Sequence, residues 1–333
     1  MQVVICLEKY FGKAKDVEIL NENEVKITFR DSISAFDGVK KEDLQYKGET
    51  NCKTSAKLFE ILKKYHVETH YITRLSDNEL LCKKVEIVPV EIVCRNIAAG
   101  SICRRYNLKQ GLSFTRPIIE FFLKDDSLHD PLITEEVAIQ LKYLSYEDAL
   151  LMKSVTLAVN HILKEIFQSL SLVLVDFKLE FGKNKEGILI IADEISADTM
   201  RLWEKDTGEI KDKDRYRKDL GDVISHYKDI LNRLEKMTIL PKLDFLTRAD
   251  ILISLKESVR DPAGEVTLKS LQRNDYTDVK SVRLGKSAKL ELSKFPSNSL
   301  YVEIKDISTT ILSNPLIEEI RIIMDYDGKN KEG

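Results

Sequence analysis

The chain has 333 residues, more than a single hydrophobic core usually organises, so we expect at least two compact units. Hydrophobic residues make up 43% of it and charged residues 32%, a balance typical of an ordered globular protein and not of a disordered one. Lys and Arg total 52 against 55 Asp and Glu, a net charge of -3 with no basic block, which argues against nucleic-acid binding.

The N-terminal residues 1–9 do not have the pattern of a secretory signal, because they lack a basic segment and reach charged residues after a short apolar run. No apolar run approaches the ~20 residues needed to span a bilayer, so we expect no membrane association and a cytoplasmic location. The five cysteines are odd in number and form no Cys-x-x-Cys pair, which predicts reduced structural thiols and neither disulfides nor a zinc site.

Short strands dominate the beginning of the chain. Residues 17–20 and 25–29 predict a hairpin across a polar turn, and strand-like runs follow at 70–75, 79–82, 85–88 and 91–95. Between them, Leu58, Leu62 and Tyr65 have helical spacing, which predicts a helix over 52–65 that Thr50 or Asn51 can cap.

The middle of the chain predicts a long helix, a second hairpin and a closing helix. Residues 145–170 begin with the capping box Ser145 to Asp148 and carry an apolar stripe at helical spacing. A hairpin follows, formed by 172–181 and 188–195. Apolar residues from Tyr216 to Leu234 then predict an amphipathic helix that ends the first domain.

Pro241 interrupts the pattern, so we take residues 235–247 as a linker to a second domain over 248–326, followed by a polar tail at 327–333. The second domain predicts a strand at 250–256, a helix at 262–273, a hairpin of 279–284 with 288–292, a helix at 300–312 and a strand at 317–324. This order is the ferredoxin-like βαββαβ arrangement, and the whole chain is predicted to be α+β.

The segment 175–182 (Val-Asp-Phe-Lys-Leu-Glu-Phe-Gly) carries the most distinctive chemistry. Strand alternation places Asp176, Lys178 and Glu180 on one face, which belongs either to solvent or to a cleft. The returning strand brings Asp193 close, and gathered carboxylates favour a hard cation such as Mg²⁺. Glu180 and Asp193 share a face only if Lys178 pairs directly with Asp193, a register that the sequence leaves open.

Two further segments suit anion binding, each with a plainer alternative. Gly12-Lys13-Ala14-Lys15 offers small residues and lysines that suit a polyphosphate, but it is equally compatible with a solvated turn. Residues 95–101, which include Arg95, Gly100 and Ser101, join a strand to a short helix and suit a phosphate or carboxylate. Alternatively, Ser101 caps that helix while Arg95 forms a surface ion pair.

Eight motifs in chain order resemble the SAICAR synthetase (phosphoribosylaminoimidazole-succinocarboxamide synthase) family over residues 10–234. They lie at 12–15, 34–38, 47–48, 88–91, 95–101, 122–126 with 129–131, 175–182, and 193–196 with 201–203. The resemblance implies a two-lobed ATP-binding fold, with lobes at about 1–90 and 91–234 of a 1–234 domain. It also implies ATP-dependent ligation of L-aspartate to carboxyaminoimidazole ribonucleotide (CAIR), which yields SAICAR, ADP and phosphate through an acyl phosphate.

Individual roles follow from the same resemblance. It implies catalytic roles for Lys178, Glu180 and Asp193, with Glu180 and Asp193 as Mg²⁺ ligands. The residues implied for ATP are Gly12, Lys13, Ala14, Lys15, Lys83, Glu86 and Val88. The residues implied for CAIR and aspartate are Ser34, Asp37, Gly38, Lys47, Arg95, Gly100, Ser101, Asp130, Asp176, Arg201 and Arg217.

The second domain resembles PurS, the small subunit of formylglycinamidine ribonucleotide (FGAM) synthase, on the motifs at 254–264, 282–286 and 314–318. The resemblance implies a non-catalytic domain that self-associates and bridges the glutaminase and synthetase subunits of FGAM synthase. Simple oligomerisation is the alternative. For the first domain, a small-molecule kinase or an inactive scaffold remains open, since a nucleotide loop, Mg²⁺ carboxylates and anion clamps serve kinases as well as ligases.

Overall fold

The computed structural model describes residues 8–35 and 38–326. Asp37, the first seven residues and the predicted tail 327–333 lie outside the described residues. The chain divides into two compact units between Leu243 and Asp244. Within the described part of the chain, no helix has both the length and the apolar character to cross a membrane.

The first unit begins with a five-stranded antiparallel sheet of order β1-β2-β3-β7-β6 and a separate hairpin of β4 with β5. Val25, Ile27 and Phe29 point from this sheet onto Cys52 and Ala56 of the helix α1 and form a buried core. The predicted hairpin is confirmed. The elements are β1 (Lys9–Phe11), β2 (Lys15–Ile19), β3 (Glu24–Phe29), β4 (Ser32–Ala35), β5 (Lys40–Asp43), α1 (Lys47–Lys64), β6 (Tyr71–Arg74) and β7 (Glu79–Lys83).

Helix α1 begins five residues before the predicted start, and the proposed caps Thr50 and Asn51 are buried inside it. The cap comes instead from outside the helix. One oxygen of Asp31 accepts a hydrogen bond from the Gly48 amide at 2.9 Å and the other from the Tyr46 amide at 3.3 Å. A carboxylate at a helix N-terminus satisfies free amides and complements the helix dipole. Asp31 is distant in sequence, so a local motif search does not find it.

A six-stranded sheet follows in the first unit, with β11 between β8 and β12 and with β13 also paired to β11. The long helix α4 packs on β8 and β11, and its capping box of Ser145 with Asp148 is formed as predicted. Two runs predicted as separate strands, at 85–88 and 91–95, form one strand, β8. The elements are β8 (Glu86–Ile97), α2 (Ser101–Tyr106), β9 (Ser113–Leu123), β10 (Leu132–Ile133), α3 (Glu135–Gln140), α4 (Tyr146–Ser169), β11 (Leu172–Lys183), β12 (Leu189–Ala192) and β13 (Met200–Glu204).

Two helices, α5 (Asp214–Arg217) and α6 (Val223–Lys236), replace the single helix predicted from Tyr216 to Leu234. The break occurs because Asp219 and Asp222 have φ angles of 54° and 53°, which a right-handed helix does not allow. Helix α6 packs against α1 through its buried apolar face.

The second unit is a three-stranded antiparallel sheet of order β15-β14-β16 with two helices. In β14, Ala249, Ile251 and Ile253 are buried while Arg248 and Asp250 are exposed, so the sheet has one core-facing side. The elements are β14 (Thr247–Leu255), α7 (Pro262–Arg273), β15 (Gly285–Leu292), α8 (Asn298–Ile307) with a π-helical turn (Ser308–Leu312), and β16 (Glu318–Tyr326). The predicted α+β class is confirmed.

The strand predicted at residues 279–284 is not formed, so this unit has the order βαβαβ. Loop contacts account for the difference. The Arg283 guanidinium donates to the carbonyls of Leu255, Lys256 and Val259, and the Leu284 amide donates to Asp261 Oδ2 at 2.7 Å. These bonds hold the segment against the β14–α7 loop, and the chain enters β15 only at Gly285.

Replacing Asp31 by Ala should lower the free energy of unfolding by about 1 kcal/mol, because two amides at the start of α1 lose their acceptor. Urea denaturation of the full chain measures the change. Glu42→Ala removes an exposed carboxylate from the adjacent strand β5 and is the matched control. Equal stabilities of the two variants would contradict a capping role for Asp31.

Candidate active site

A cavity of about 1070 Å³ opens within the first unit, at the face of β8 and β11 and beneath the turn between β1 and β2. Its lining is dominated by charged side chains. The predicted site residues that line it are Gly12, Lys13, Ala14, Lys15, Ser34, Gly38, Arg95, Ser101, Asp130, Asp176, Lys178, Glu180, Asp193, Arg201 and Arg217. The structure therefore brings together residues from a stretch of 206 positions, from 12 to 217.

Strand β11 carries the charged face that the sequence assigns either to solvent or to a cleft. Leu179 and Phe181 are buried outside the cavity lining, while Asp176 and Glu180 face the cavity with exposures of only 3% and 6%. The solvent alternative is wrong, because Asp176 and Glu180 are buried and line the cavity. Carboxylates buried this deeply require cations as partners.

Asp176 obtains two such partners from the neighbouring strands. In the sheet it lies opposite Arg95 of β8 on one side and Arg201 of β13 on the other. Asp176 Oδ2 accepts from Arg95 Nη1 at 3.0 Å and from Arg201 Nη1 at 2.8 Å. A register shift between Leu174 and Asp176 in the pairing of β11 with β13 brings Arg201 to this position.

The two guanidiniums are anchored by further contacts. Arg95 donates through Nε to Glu120 at 2.7 Å and through Nη2 to the Ser101 hydroxyl at 3.3 Å. Arg201 donates through Nε to Asp214 at 2.9 Å. Burial acts against the charge of Arg201, but Asp176 and Asp214 raise its pKa above the ordinary value. This pair of fixed guanidiniums beside a hydroxyl is suited to a phosphate.

The interpretation of Ser101 as a helix cap and of Arg95 as a surface ion pair is wrong. Gly100 is the N-cap of α2 and makes no side-chain cap bond, while Arg95 is 3% exposed. Gly100 has a φ of 67°, and a Cβ there would lie 2.5 Å from Arg201 Nη2. Glycine is therefore required both by the backbone conformation and by the close approach of the guanidinium.

The register of the second hairpin differs from the one that would place Glu180 and Asp193 on a common face. Glu180 pairs with Ala192, and β12 ends there. Asp193 has a φ of 62°, so the chain leaves the strand and turns this side chain into the cavity despite the slipped register. The His70 ring holds the turn through a 2.8 Å contact with the Asp193 carbonyl.

Lysines neutralise the acidic side of the cavity. Lys178 Nζ lies 2.7 Å from Glu180 Oε1 and 2.8 Å from Glu91 Oε2, and Lys124 contacts the other oxygen of Glu180. Burial opposes the charge of Lys178, but Glu180 and Glu91 raise its pKa well above the ordinary value. These ion pairs keep Lys178 charged and hold its ammonium in a single position.

The turn 12–15 is closed by a hydrogen bond from the Gly12 amide to the Lys15 carbonyl at 2.8 Å. A Cβ on Gly12 would lie 2.6 Å from that carbonyl oxygen, so the turn requires glycine. Lys15 points inward, contacts Asp193 and lies 2.8 Å from Glu194 Oε1, whereas Lys13 forms an exposed pair with Asp126 at 2.7 Å. One lysine thus belongs to the cavity wall and the other to its rim.

The remaining predicted site residues lie elsewhere. Lys47 is 2% exposed behind the cavity, where its ammonium contacts Asp198 at 2.6 Å. Lys83, Glu86 and Val88 lie at the end of β7 and the start of β8 and are outside the lining of this cavity. Their assignment to ATP stays a prediction.

Sequence reasoning left several lining residues without a role: Glu91, Lys124, Glu194, Asp198 and Lys213. Glu91 lies opposite Glu180 in the sheet, a position that strand pairing alone reveals. Lys124 lies just beyond β9, and Lys213 lies just before α5. Both are outside the regular elements, so no helical or strand periodicity in the sequence indicates which way they point. The motif segments did contain Glu91, Lys124 and Glu194, so a search for ion-pair partners among motif residues could have found these three.

A carboxylate behind the cavity differs from the others in its pKa. Asp212 is fully buried, and its oxygens accept from the Leu202 and Asp214 amides at 2.9 and 2.8 Å. Burial, followed by the charge of Asp214, raises the pKa of Asp212 to about 7. Asp214 has the opposite balance, because Arg201 and Arg217 outweigh burial and lower its pKa to about 2.

Comparison with known proteins relates the first unit to one enzyme family. The family model described as SAICAR synthetase matches residues 8–234, and the model PurS, described as phosphoribosylformylglycinamidine (FGAM) synthase, matches 248–325. A Thermoanaerobacter sp. (strain X514) protein named phosphoribosylaminoimidazole-succinocarboxamide synthase is 52% identical over 229 residues, which cover 68% of this chain and 97% of that protein. A protein of the same name from Methanocaldococcus jannaschii is 46% identical over 225 residues, which cover 68% of this chain and 93% of that protein.

Solved structures agree with these matches. The enzyme of the same name from Ehrlichia chaffeensis superposes with a TM-score of 0.67 at 40% identity, covering 70% of this chain and 100% of that one. A SAICAR synthetase in complex with ADP gives a TM-score of 0.67 at 38% identity, covering 71% and 100%.

The raised pKa of Asp212 predicts a pH-dependent stability. Its value is 3.8 ordinarily and about 7 in the fold, so the folded state binds an additional proton between these limits. The contribution of Asp212 to the free energy of unfolding should therefore fall by about 4 kcal/mol as the pH rises through that window. Urea denaturation at several pH values measures the slope.

Asp212→Asn, which cannot titrate, should show a less negative slope than the unmodified chain. Asp206→Asn changes an exposed aspartate in the same region and should leave the slope unchanged. Identical slopes in both variants would mean that folding does not raise the pKa of Asp212.

Proposed function

The chain belongs to the SAICAR synthetase family, and on that premise we propose that its first unit joins L-aspartate to CAIR, with ATP converted to ADP and phosphate. It is a carbon–nitrogen ligase of purine biosynthesis. The observation that carries the proposal is the single cavity that combines the turn 12–15, the lysine–carboxylate cluster around Glu180 and the guanidinium pair on Asp176. These three groups of side chains can bind a nucleotide, an activated carboxylate and a sugar phosphate, respectively.

Arg95, Arg201 and the Ser101 hydroxyl are the groups that we assign to the phosphate of CAIR. The two guanidiniums donate hydrogen bonds to Asp176, Glu120 and Asp214, which hold them rigidly. The Ser101 hydroxyl oxygen accepts from Arg95 Nη2, so its own proton is available to donate to a phosphate. Rigid donors bind an anion without the entropy cost of ordering flexible side chains. Arg217, which lies 2.5 Å from Asp214, extends the cationic surface.

ATP is assigned to the turn 12–15, with Lys15 directed at its phosphates. Glu180 and Asp193 are the proposed Mg²⁺ ligands. Both offer hard carboxylate oxygens in the same cavity, and Mg²⁺ commonly takes one or two carboxylates and completes its shell with water and phosphates. The described residues contain no cluster of three or more potential metal-ligating side chains, which fits an ion held largely by the nucleotide. When bound, the ion would neutralise phosphate charge.

The proposed reaction proceeds in two steps. A carboxylate oxygen of CAIR attacks the γ-phosphorus of ATP and ADP leaves, which converts a poor electrophile into an acyl phosphate. The amine of aspartate then attacks the acyl carbon, loses a proton and expels phosphate, so that an amide forms. Lys178 is placed by Glu91 and Glu180 to stabilise the negative charge that moves between the carboxylate and the phosphoryl group.

The other substrate assignments form the edge of the site. Ser34, Gly38 and Asp130 line the cavity, and Lys47 supports it through Asp198. We assign Ser34, Gly38 and Asp130 to segments that close over the bound substrates. Asp37, which lies outside the described residues, is assigned to the same role. The proposed location of the enzyme is the cytoplasm.

Residues 248–325 form a PurS-like domain, and we propose that it acts as the small subunit of FGAM synthase beside separate glutaminase and synthetase subunits. The proposed functional division is 1–234 for the ligase, 235–247 for the linker and 248–326 for the PurS-like domain. Self-association of the chain through this domain is part of the proposal. The fusion would couple two enzymes of one pathway in a single polypeptide.

Purified full-length protein should form SAICAR from CAIR, L-aspartate and MgATP. Lys178→Met should lower kcat by about 100-fold or more, because the transition state loses its charged contact. Lys183→Met is the matched control, since Lys183 lies on the same strand but pairs with Asp148 outside the cavity. ADP release that needs CAIR but not aspartate would favour a kinase, and absence of any turnover would favour an inactive scaffold.

Removing the second unit distinguishes its two proposed roles. The truncation should follow Leu243, because α6 extends to Lys236 and contains buried Leu234. SAICAR formation should persist, while FGAM synthase activity reconstituted with the glutaminase and synthetase subunits should be lost. FGAM synthase activity that survives the truncation would leave oligomerisation as the role of this unit.

A further inference from the structure

One cation of the cavity stands apart from the others. Seven lysines and arginines that line the cavity each have a carboxylate oxygen within ion-pair distance among the described residues: Lys13, Lys15, Arg95, Lys124, Lys178, Arg201 and Arg217. Lys213 also lines the cavity, but its ammonium has neither an ion pair nor a hydrogen bond within the described part of the chain. An unpaired cation in a cavity suits an incoming anion.

The backbone fixes where Lys213 lies. It is the N-cap residue of α5, and its amide donates to the Ala197 carbonyl at 3.2 Å. The carboxylate that acts most strongly on the charge of Lys213 is Asp198. Asp198 already forms an ion pair with Lys47 at 2.6 Å and accepts a hydrogen bond from the Tyr227 hydroxyl at 2.7 Å. Asp198 therefore has little remaining capacity to neutralise Lys213.

The surroundings of Lys213 oppose its charge. Burial lowers the pKa of Lys213 most, and the positive charges of Arg217 and Lys47 lower it further, against a partial compensation by Asp198 and Glu194. Lys178 has the opposite balance, because Glu180 and Glu91 raise its pKa. The two lysines thus occupy different electrostatic neighbourhoods of the same cavity, and only Lys213 would gain a first partner from a bound anion.

We propose that the Lys213 ammonium binds a carboxylate of the L-aspartate substrate. This assignment rests on the proposed function and follows from the anions that the reaction brings. The phosphate of CAIR has the guanidinium pair, the phosphates of ATP have the turn 12–15, and the CAIR carboxylate reacts beside Lys178. The carboxylates of L-aspartate are the anions that still lack a partner, and Lys213 is the cation that still lacks one.

The test is steady-state kinetics of the full chain with Lys213→Met, which keeps the length of the side chain and removes its charge. The KM for aspartate should rise about tenfold or more, the loss expected for one charge-assisted contact, while the KM values for CAIR and ATP change by less than about twofold. Lys213→Arg should recover most of the affinity for aspartate. Lys218→Met, an exposed cation just beyond α5, is the control and should behave as the unmodified chain.

Folding and turnover are controlled separately. Since Lys213 is an unpaired cation near two others, Lys213→Met should melt at the same temperature as the unmodified chain or higher in the absence of substrates. L-aspartate should raise the melting temperature of the unmodified chain with CAIR and MgADP, and this increase should be absent in Lys213→Met, a readout that needs no turnover.

An unchanged KM for aspartate, or a larger change in the KM for CAIR, would overturn the assignment. Failure of the proposed function looks different, because the unmodified chain itself would then form no SAICAR. In that case the aspartate-dependent melting shift decides the role of Lys213 alone, and its persistence in Lys213→Met overturns the assignment.

Discussion

The central constraint on this protein is that acidic side chains are buried on the inner face of β11 and must find cations. Asp176 and Glu180 are nearly inaccessible to solvent, so an unpaired charge on either would cost several kcal/mol. The sheet solves this by placing arginines opposite Asp176 and lysines around Glu180. The same ion pairs that allow the carboxylates to be buried also hold the cationic groups in fixed positions, where we propose that they bind substrates.

This arrangement makes the strand partners of β11 part of the site. Arg95 belongs to β8 and Arg201 to β13, and each reaches Asp176 from its own side. A change in the register of either strand pair would move a guanidinium away from Asp176. The buried carboxylate of Asp176 would then lose a cationic partner and be repelled by Glu120 or Asp214. Fold stability and the proposed substrate recognition therefore depend on the same alignment of strands.

Backbone conformations outside the regular elements complete the cavity. Asp193 reaches it because the chain turns into the left-handed region after β12, with the carbonyl held by His70. Gly100 allows Arg201 to pass close to the start of α2. In the second unit, Arg283 and Asp261 likewise hold a loop in place of a strand. Irregular backbone thus positions functional groups that strand periodicity alone would direct elsewhere.

Local patterns determined much of this protein from the sequence: the capping box and apolar stripe of α4, the hairpin of β2 with β3, the alternation of β11 and the α+β class. Each depends on neighbours in sequence, which a linear pattern contains. Tertiary structure alone decided the cap of α1 by Asp31, the break between α5 and α6, the register that pairs Glu180 with Ala192, and the isolation of Lys213. These depend on which groups meet in three dimensions, such as Asp31 with the Gly48 amide 17 residues away, and such meetings leave no periodic trace in the sequence.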